Sequence, residues 1–332
     1  MSALPKIAIG ALGGTIAMVA SDSGGVQPTL TADLLVKSVP ALAAVAEINA
    51  TTLAQLPSGS LSFDVLFQAL QWAKQQIDDG AAGVILTQGT DTLEEAAFLL
   101  SLYWDRPQPL IFTGAMRAPL AAGADGPANL LASAQVIADK QSLGRGVMVV
   151  LNDTIHSPYW VKKSNTLQVQ TFHSGFAGPL GTIIEGKPVY FSASHNFAAP
   201  MVKPKTINTK VALIEACLSS GEDLLKLVFE SGIYQGVVIA GFGSGHVSFA
   251  EADIIRQYAQ TIPVVIATRA YSGSTSQNTY GYKGGEIDLL QCGAVMGGWL
   301  SPLKARLVLW SLLASDMDRQ QILSNWQIWQ KY

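Results

Sequence analysis

The stretch Val84-Ile85-Leu86-Thr87-Gln88-Gly89-Thr90-Asp91-Thr92-Leu93-Glu94-Glu95 decides the reading of this chain. Its β-branched apolar start predicts a strand buried on both faces of a parallel sheet. Its acidic end predicts a helix beginning at Asp91-Thr92, with Glu94 and Glu95 in the first turn. Gly89 allows the sharp turn between them. A hydroxyl and a carboxylate therefore stand side by side at the carboxyl end of a strand, where ligands bind in open α/β sheets.

The same alternation runs outward in both directions. Lys6–Ala11 reads as a first strand, turning at Gly13-Gly14-Thr15, and residues 18–29 read as a small, polar, Gly-rich loop. Thr31 is placed as the cap of a helix over 32–39, Glu47–Gln55 as a strand, and Phe63–Ile77 as an amphipathic helix. Beyond the central stretch come a helix over 94–104, a strand over 110–114, a helix opened by Asp125-Gly126-Pro127, and a strand Val147–Leu151 that ends in Asn152-Asp153-Thr154. From Tyr190 to Lys210 the pattern dissolves into Ser, Ala, Pro, Asn and Lys; then a shorter strand–helix series restarts and ends in an amphipathic helix over 302–313. The expected organisation is α/β throughout: residues 1–190 as the larger domain, 191–210 as a linker, and 211–332 as a smaller one.

With 332 residues, 49% hydrophobic and 14% charged, the chain can bury a large core. The net charge of −3 offers no basic footprint for nucleic acid. No apolar run approaches the about 20 residues of a membrane span. Cys217 and Cys292 form neither a metal spacing nor a disulfide framework, and Ile7-Ala8-Ile9 follows the first residues without a signal-peptide pattern. The expected location is the cytoplasm.

There is no Gly-x-Ser-x-Gly elbow, no His-Glu-x-x-His and no Cys-x-x-Cys; the four histidines are scattered, and Gly10-Ala11-Leu12-Gly13-Gly14-Thr15 lacks the dinucleotide spacing. No metal or cofactor is expected. What remains is threonine chemistry. Thr15 follows two glycines whose amides can stabilise an oxyanion, and its hydroxyl needs a base to become a nucleophile. Thr90, Asp91 and Lys163, in Lys162-Lys163-Ser164-Asn165-Thr166, are the candidates for that relay. Each has a plain structural alternative: a tight turn, a helix cap and a solvated lysine.

Taken together these segments resemble the bacterial-type asparaginase/glutaminase family. The resemblance rests on Gly13-Gly14-Thr15-Ile16-Ala17, Gln88-Gly89-Thr90-Asp91-Thr92, Thr113-Gly114-Ala115-Met116-Arg117, Asp125-Gly126-Pro127-Ala128-Asn129, Asn152-Asp153-Thr154, Lys163-Ser164-Asn165-Thr166 and Lys304-Ala305-Arg306, spread over nearly the whole chain. It implies a larger N-terminal domain with a flavodoxin-like parallel sheet and a smaller C-terminal α/β domain. It also implies cofactor-free hydrolysis of a side-chain amide, in a homotetramer (a dimer of dimers) with its active sites at the intimate dimer interface. Carried over by position, Thr15 is the nucleophile, and Thr90, Lys163 and Asp91 activate it. Asp91 also holds the substrate ammonium, Ser58 or Ser60 its carboxylate, and the Ala115 carbonyl faces the amide.

The departures lie around this set. Leu12 and Gln88 are expected to be packing changes. Gly59 replaces a side chain that often touches substrate. No Tyr occurs in residues 18–30, and Gly25 stands at the lid position. His246 and Tyr280 fall where the partner subunit contributes, in place of Asn and Glu. L-Asn is the expected substrate. L-Gln or another small amide, an ammonia-generating amidotransferase subunit, and a non-catalytic amino-acid binder remain the alternatives.

Overall fold

The structure, a computed structural model, describes residues 3–20, 26–28, 31–193, 200–219 and 221–330. The chain divides into two compact units, Met1–Asn196 and Phe197–Tyr332.

The first unit runs β1 (Lys6–Gly13), β2 (Met18–Ala20), β3 (Val26–Pro28), α1 (Ala32–Lys37), β4 (Glu47–Leu56), α2 (Phe63–Asp78), β5 (Gly83–Thr87), α3 (Leu93–Ser101), β6 (Leu110–Thr113), α4 (Gly126–Ala138) and β7 (Val147–Leu151). It continues through β8 (Thr154–His156), β9 (Lys162–Lys163), β10 (Phe172–His173), β11 (Gly181–Ile184) and β12 (Lys187–Tyr190). The main sheet has the order β12-β11-β8-β7-β6-β5-β1-β4. From β4 to β7 every pairing is parallel. Numbered by appearance in that parallel part, the order is 2-1-3-4-5, the flavodoxin-like arrangement. Strand order therefore reverses at β1, and a crevice is expected at the carboxyl ends of β1 and β5.

The parallel strands are apolar on both faces because both faces are covered. Ile7, Ile9, Ile85, Ile111, Met148 and Val150 share a core with Leu35 of α1 and with Leu130 and Ala134 of α4. On the opposite face Gly10 leaves room for Trp72 of α2, whose ring an added Cβ would approach to 2.7 Å.

Several expectations are corrected. The expected parallel sheet spans β4 to β7, and an antiparallel extension not foreseen adds to it: β7–β8, β8–β11 and β11–β12 are antiparallel. The turn into β8 is made by Asn152 and Asp153 at φ 50° and 54°, the left-handed pair that a two-residue hairpin requires and that Asn and Asp tolerate. Residues 18–29 are not simply a loop, since β2 and β3 pair as an antiparallel ribbon. Gly25 and the linker positions 194–199 lie outside the described residues. Thr31 occupies the N-cap of α1 but makes no side-chain cap hydrogen bond.

The second unit runs β13 (Val211–Glu215), α5 (Glu222–Glu230), β14 (Gly236–Gly241), α6 (Phe249–Tyr258), β15 (Val264–Thr268), α7 (Glu286–Gln291), β16 (Val295–Met296), α8 (Pro302–Ala314) and α9 (Arg319–Gln330). Its sheet is parallel in the simple order β13-β14-β15-β16. The helix over 302–314 is neither amphipathic nor last. Leu307, Val308, Leu309, Trp310 and Leu312 are all buried, Trp310 Nε1 donates to the Thr209 carbonyl at 3.0 Å, and α9 follows.

Candidate functional site

Four turns at the carboxyl edge of the first sheet meet through three glycines. An added Cβ on Gly14 would lie 2.0 Å from the Gly89 nitrogen; on Gly89 it would lie 2.8 Å from Ser58 Oγ; on Gly114 it would lie 2.6 Å from the Gln88 carbonyl. The turns after β1, β5 and β6 thus meet backbone to backbone, the turn after β4 meets them through the Ser58 side chain, and Thr15, Ser58, Thr90 and Ala115 are carried on them. This is the crevice that the strand order singles out. Thr15 opens a short 3-10 turn, Thr15–Ala17, closed by the Ala17 N–H on the Gly14 carbonyl at 2.9 Å.

Ser58 is buried, and its Oγ accepts the Asp91 N–H at 3.2 Å. Thr92 occupies the N-cap of α3 but makes no side-chain cap hydrogen bond, and donates its hydroxyl to the Ser58 carbonyl at 2.9 Å. These two bonds tie the turn after β4 to the start of α3. Ser60 is exposed, as is Gly59, around which an added Cβ would meet nothing within 4 Å.

Lys163 arrives from the far side of the sheet. The β7–β8 hairpin sends the chain back toward β9, and the loop beyond folds on Asn165, whose Oδ1 accepts the N–H groups of Leu167 and Gln168, both at 2.9 Å. Lys163 Nζ then donates to Thr90 Oγ1 at 2.9 Å and to Asp91 Oδ1 at 2.6 Å. The lysine side chain is only 17% exposed whereas Asp91 is 76% exposed. The solvated-lysine alternative is therefore excluded, and Asp91 keeps an open face for a ligand. The backbone N–H of Lys163 is donated to Glu94 Oε2.

Ala115 is fully buried, and the loop around it hangs on Asp125. That carboxylate accepts the Met116 N–H at 2.9 Å, the Arg117 N–H at 2.9 Å and Asn129 Nδ2 at 3.1 Å. Asn129 also donates to the Gly114 carbonyl at 3.0 Å and accepts the Asn152 N–H at 2.8 Å. Glu94, Asp125 and Asn129 were not among the expected site residues. The acidic first turn and the Asp-Gly-Pro-x-Asn run were visible, but each reads locally as a helix start. Leu12 and Gln88 are fully buried, and Gln88 Nε2 donates to the Gly89 carbonyl at 3.3 Å, so both serve packing.

In the second unit His246 lies in the turn after β14. Its Nε2 faces Glu286 Oε2 and Ser244 Oγ, each at 3.2 Å, and its Nδ1 faces the Tyr282 hydroxyl at 2.9 Å. Glu286 is fully buried, and its other oxygen accepts the N–H groups of Thr279 and Tyr280 at 2.6 and 2.7 Å. Burial pushes this carboxyl up, but the backbone N–H groups of Tyr280, Glu286 and Thr279, with His246, outweigh it and hold it below the usual carboxylate range. Because an ionised carboxylate only accepts, the His246 Nε2 that faces Glu286 is the donor of that bond. Tyr280 packs edge-on against the imidazole, with centroids 4.7 Å apart. Glu286 and Tyr282 went unnoticed in the sequence, although the run Tyr280-Gly281-Tyr282-Lys283-Gly284-Gly285 ahead of an acid was a usable signal.

Among the described residues no three His, Cys, Asp or Glu side chains gather where a metal could sit, and no helix is long and apolar enough to cross a membrane.

A doubly wound α/β unit with a lysine–threonine–carboxylate cluster at its switch point narrows the class of protein, and comparison with known proteins completes it. The chain belongs to the asparaginase family: residues 6–196 match the family described as Asparaginase, N-terminal, and residues 210–324 match the Glutaminase/Asparaginase C-terminal domain. It is 34% identical to L-asparaginase 2 of Escherichia coli, over 96% of this chain and 92% of that one. It is 33% identical to a probable periplasmic L-asparaginase of Haemophilus influenzae, over 96% and 91%. Among solved structures it resembles a probable cytoplasmic L-asparaginase from Campylobacter jejuni, with a TM-score of 0.87 and 27% identity over 97% and 99% of the two chains.

Proposed function

We propose that this chain hydrolyses the side-chain amide of L-asparagine to L-aspartate and ammonia, with Thr15 as nucleophile and no cofactor. The observation that carries the reading is Lys163 Nζ bridging Thr90 Oγ1 and Asp91 Oδ1 at the crevice where the Gly14 and Gly89 turns meet. Family membership and the names of the relatives support it.

In this reading the substrate ammonium sits on the open oxygen of Asp91. Its α-carboxylate takes the Ser58 O–H, which is left to donate because Ser58 Oγ accepts from Asp91 N–H. The location of Ser58, buried and tied to Asp91, favours it over Ser60. Thr15 Oγ attacks the amide carbon as its proton passes toward the Thr90–Lys163–Asp91 chain. Backbone amides near the crevice and the Ala115 loop hold the amide group. The C–N bond breaks, the nitrogen leaves as ammonia with that proton, and an aspartyl ester remains on Thr15. Water adds to the ester carbon, the ester C–O bond breaks, and Thr15 recovers its proton while aspartate is released.

The working form is a homotetramer in which His246 and Tyr280 of one copy complete the site of another, and the compartment is the cytoplasm. Two free cysteines, one exposed, fit a reducing compartment. A glycine at position 25, in place of a lid tyrosine, fits a raised KM.

The test is ammonia release from L-Asn, D-Asn, L-Gln and D-Gln by wild type and Thr15→Ala. L-Asn should be the best substrate, and the variant should lose on the order of a thousandfold in kcat. Absence of release from every amide, or an unaffected variant, overturns the reading.

A further inference from the structure

Lys163 is gripped at both of its ends by the same short stretch. Its Nζ reaches Thr90 and Asp91, and its backbone N–H reaches the Glu94 carboxylate, 69 residues away in the chain. Glu94 lies in the first turn of α3 yet is only 5% exposed. An acid that merely complements the helix dipole gains its stabilisation while staying in water, and the neighbouring Glu95, half-buried in the same turn, suffices for that. Burying a carboxylate is costly unless hydrogen bonds satisfy it. Here the bond goes to the main chain of Lys163, whose Nζ reaches Thr90 and Asp91.

The strand that holds this lysine is not a strand of the main sheet. β9 is two residues long and pairs with β10 in a separate two-stranded ribbon. A lysine side chain has a flexible four-carbon stem. Where Nζ falls depends on where its Cα is held, and a misplacement of about 1 Å is enough to cost on the order of a hundredfold in rate.

We propose that Glu94 is a positioning residue for amide hydrolysis: it fixes the Lys163 backbone so that Nζ falls between Thr90 and Asp91. This rests on the role given to Lys163 under the proposed function. Glu94 acts through Lys163 and makes no contact with substrate. What it must supply is one acceptor oxygen at the right reach, not a charge. Glutamine keeps both. Aspartate withdraws the oxygen by one methylene, and alanine removes it.

The experiment measures kcat and KM for L-asparagine, and the melting temperature, of wild type, Glu94→Gln, Glu94→Asp and Glu94→Ala. Glu94→Gln should keep kcat within about threefold of wild type. Glu94→Asp and Glu94→Ala should lose about thirtyfold or more in kcat with KM within about threefold, because Asp91 and Ser58 still bind the substrate. If Glu94→Ala does not fold, the contrast between Glu94→Gln and Glu94→Asp decides. A Gln variant as impaired as the Asp variant, a rise in KM matching the fall in kcat, or wild-type kcat in the Asp variant overturns the proposal. Wild-type protein that releases no ammonia removes the functional reading and this proposal with it; turnover that is indifferent to Glu94 removes this proposal alone.

Discussion

Gly14 and Gly89, seventy-five residues apart in the chain, are packed backbone against backbone: a Cβ on Gly14 would fall 2.0 Å from the Gly89 nitrogen and 2.3 Å from its Cα. Gly14 also has φ 83°, in the left-handed region that side chains avoid. This contact lays the Thr15 turn against the Thr90 turn.

Gly14→Ala should therefore damage the protein twice over, by strain at positive φ and by collision with unyielding backbone. A loss of about 3 kcal/mol or more in unfolding free energy is expected, with ammonia release abolished. Denaturant unfolding checks it against Gly59→Ala, where a Cβ meets nothing within 4 Å; that variant should stay within about 0.5 kcal/mol of wild type.

If the proposed relay operates, Thr90→Val and Lys163→Met should act on the chemical step. Each should lower kcat on the order of a hundredfold or more and leave KM within a few-fold. Asp91→Ala should raise KM as well, since it removes both the proposed ammonium anchor and the partner of Lys163. Steady-state kinetics separate the two patterns.

Asp125→Ala strips the acceptor from the Met116 and Arg117 N–H groups and from Asn129 Nδ2. Leaving partly buried donors unsatisfied should cost about 3 kcal/mol in total. The loop that carries Ala115 loosens with them, so KM should rise in the fraction that folds. Thermal melts and KM measured well below the transition report the two effects.

His156 provides a pH signature. It is buried with Nδ1 at 2.8 Å from Ser174 Oγ, and burial, reinforced by the nearby His173, lowers its pKa to about 4. The unfolded value is near 6.5. Between these values the unfolded chain binds the extra proton, so stability falls as pH drops. The contribution is fully present above pH ~6.5 and is lost on the way down to pH ~4, an amount on the order of 3 kcal/mol. Unfolding free energy measured from pH 7 to 4 should show this slope, and His156→Gln should flatten it.

Much of the first unit is legible in sequence because its signals are local. Apolar β-branched runs, an acid-rich helix start and Asn152-Asp153 at a hairpin each act over a few residues. The antiparallel strands β8, β11 and β12 were missed because they are short and their apolar content is interrupted by polar turns. The helix over 302–314 was misread because a stripe seems one-sided until both sides are found buried. Thr92 stands at a helix start, yet its hydroxyl bonds to the Ser58 carbonyl, 34 residues earlier.

By itself, then, the sequence determined the α/β class, the family, and the identity of Thr15, Thr90, Asp91 and Lys163 as the chemical candidates. Residue type and local spacing suffice for those. Tertiary structure alone decided that Lys163 is held by Glu94 as well as by Thr90 and Asp91, that Asp125 and Asn129 suspend the Ala115 loop, and that His246 stands on a buried Glu286. Such partners are chosen by sheet order and by the cost of burying an unpaired polar group, and both act across tens of residues where no local pattern reaches.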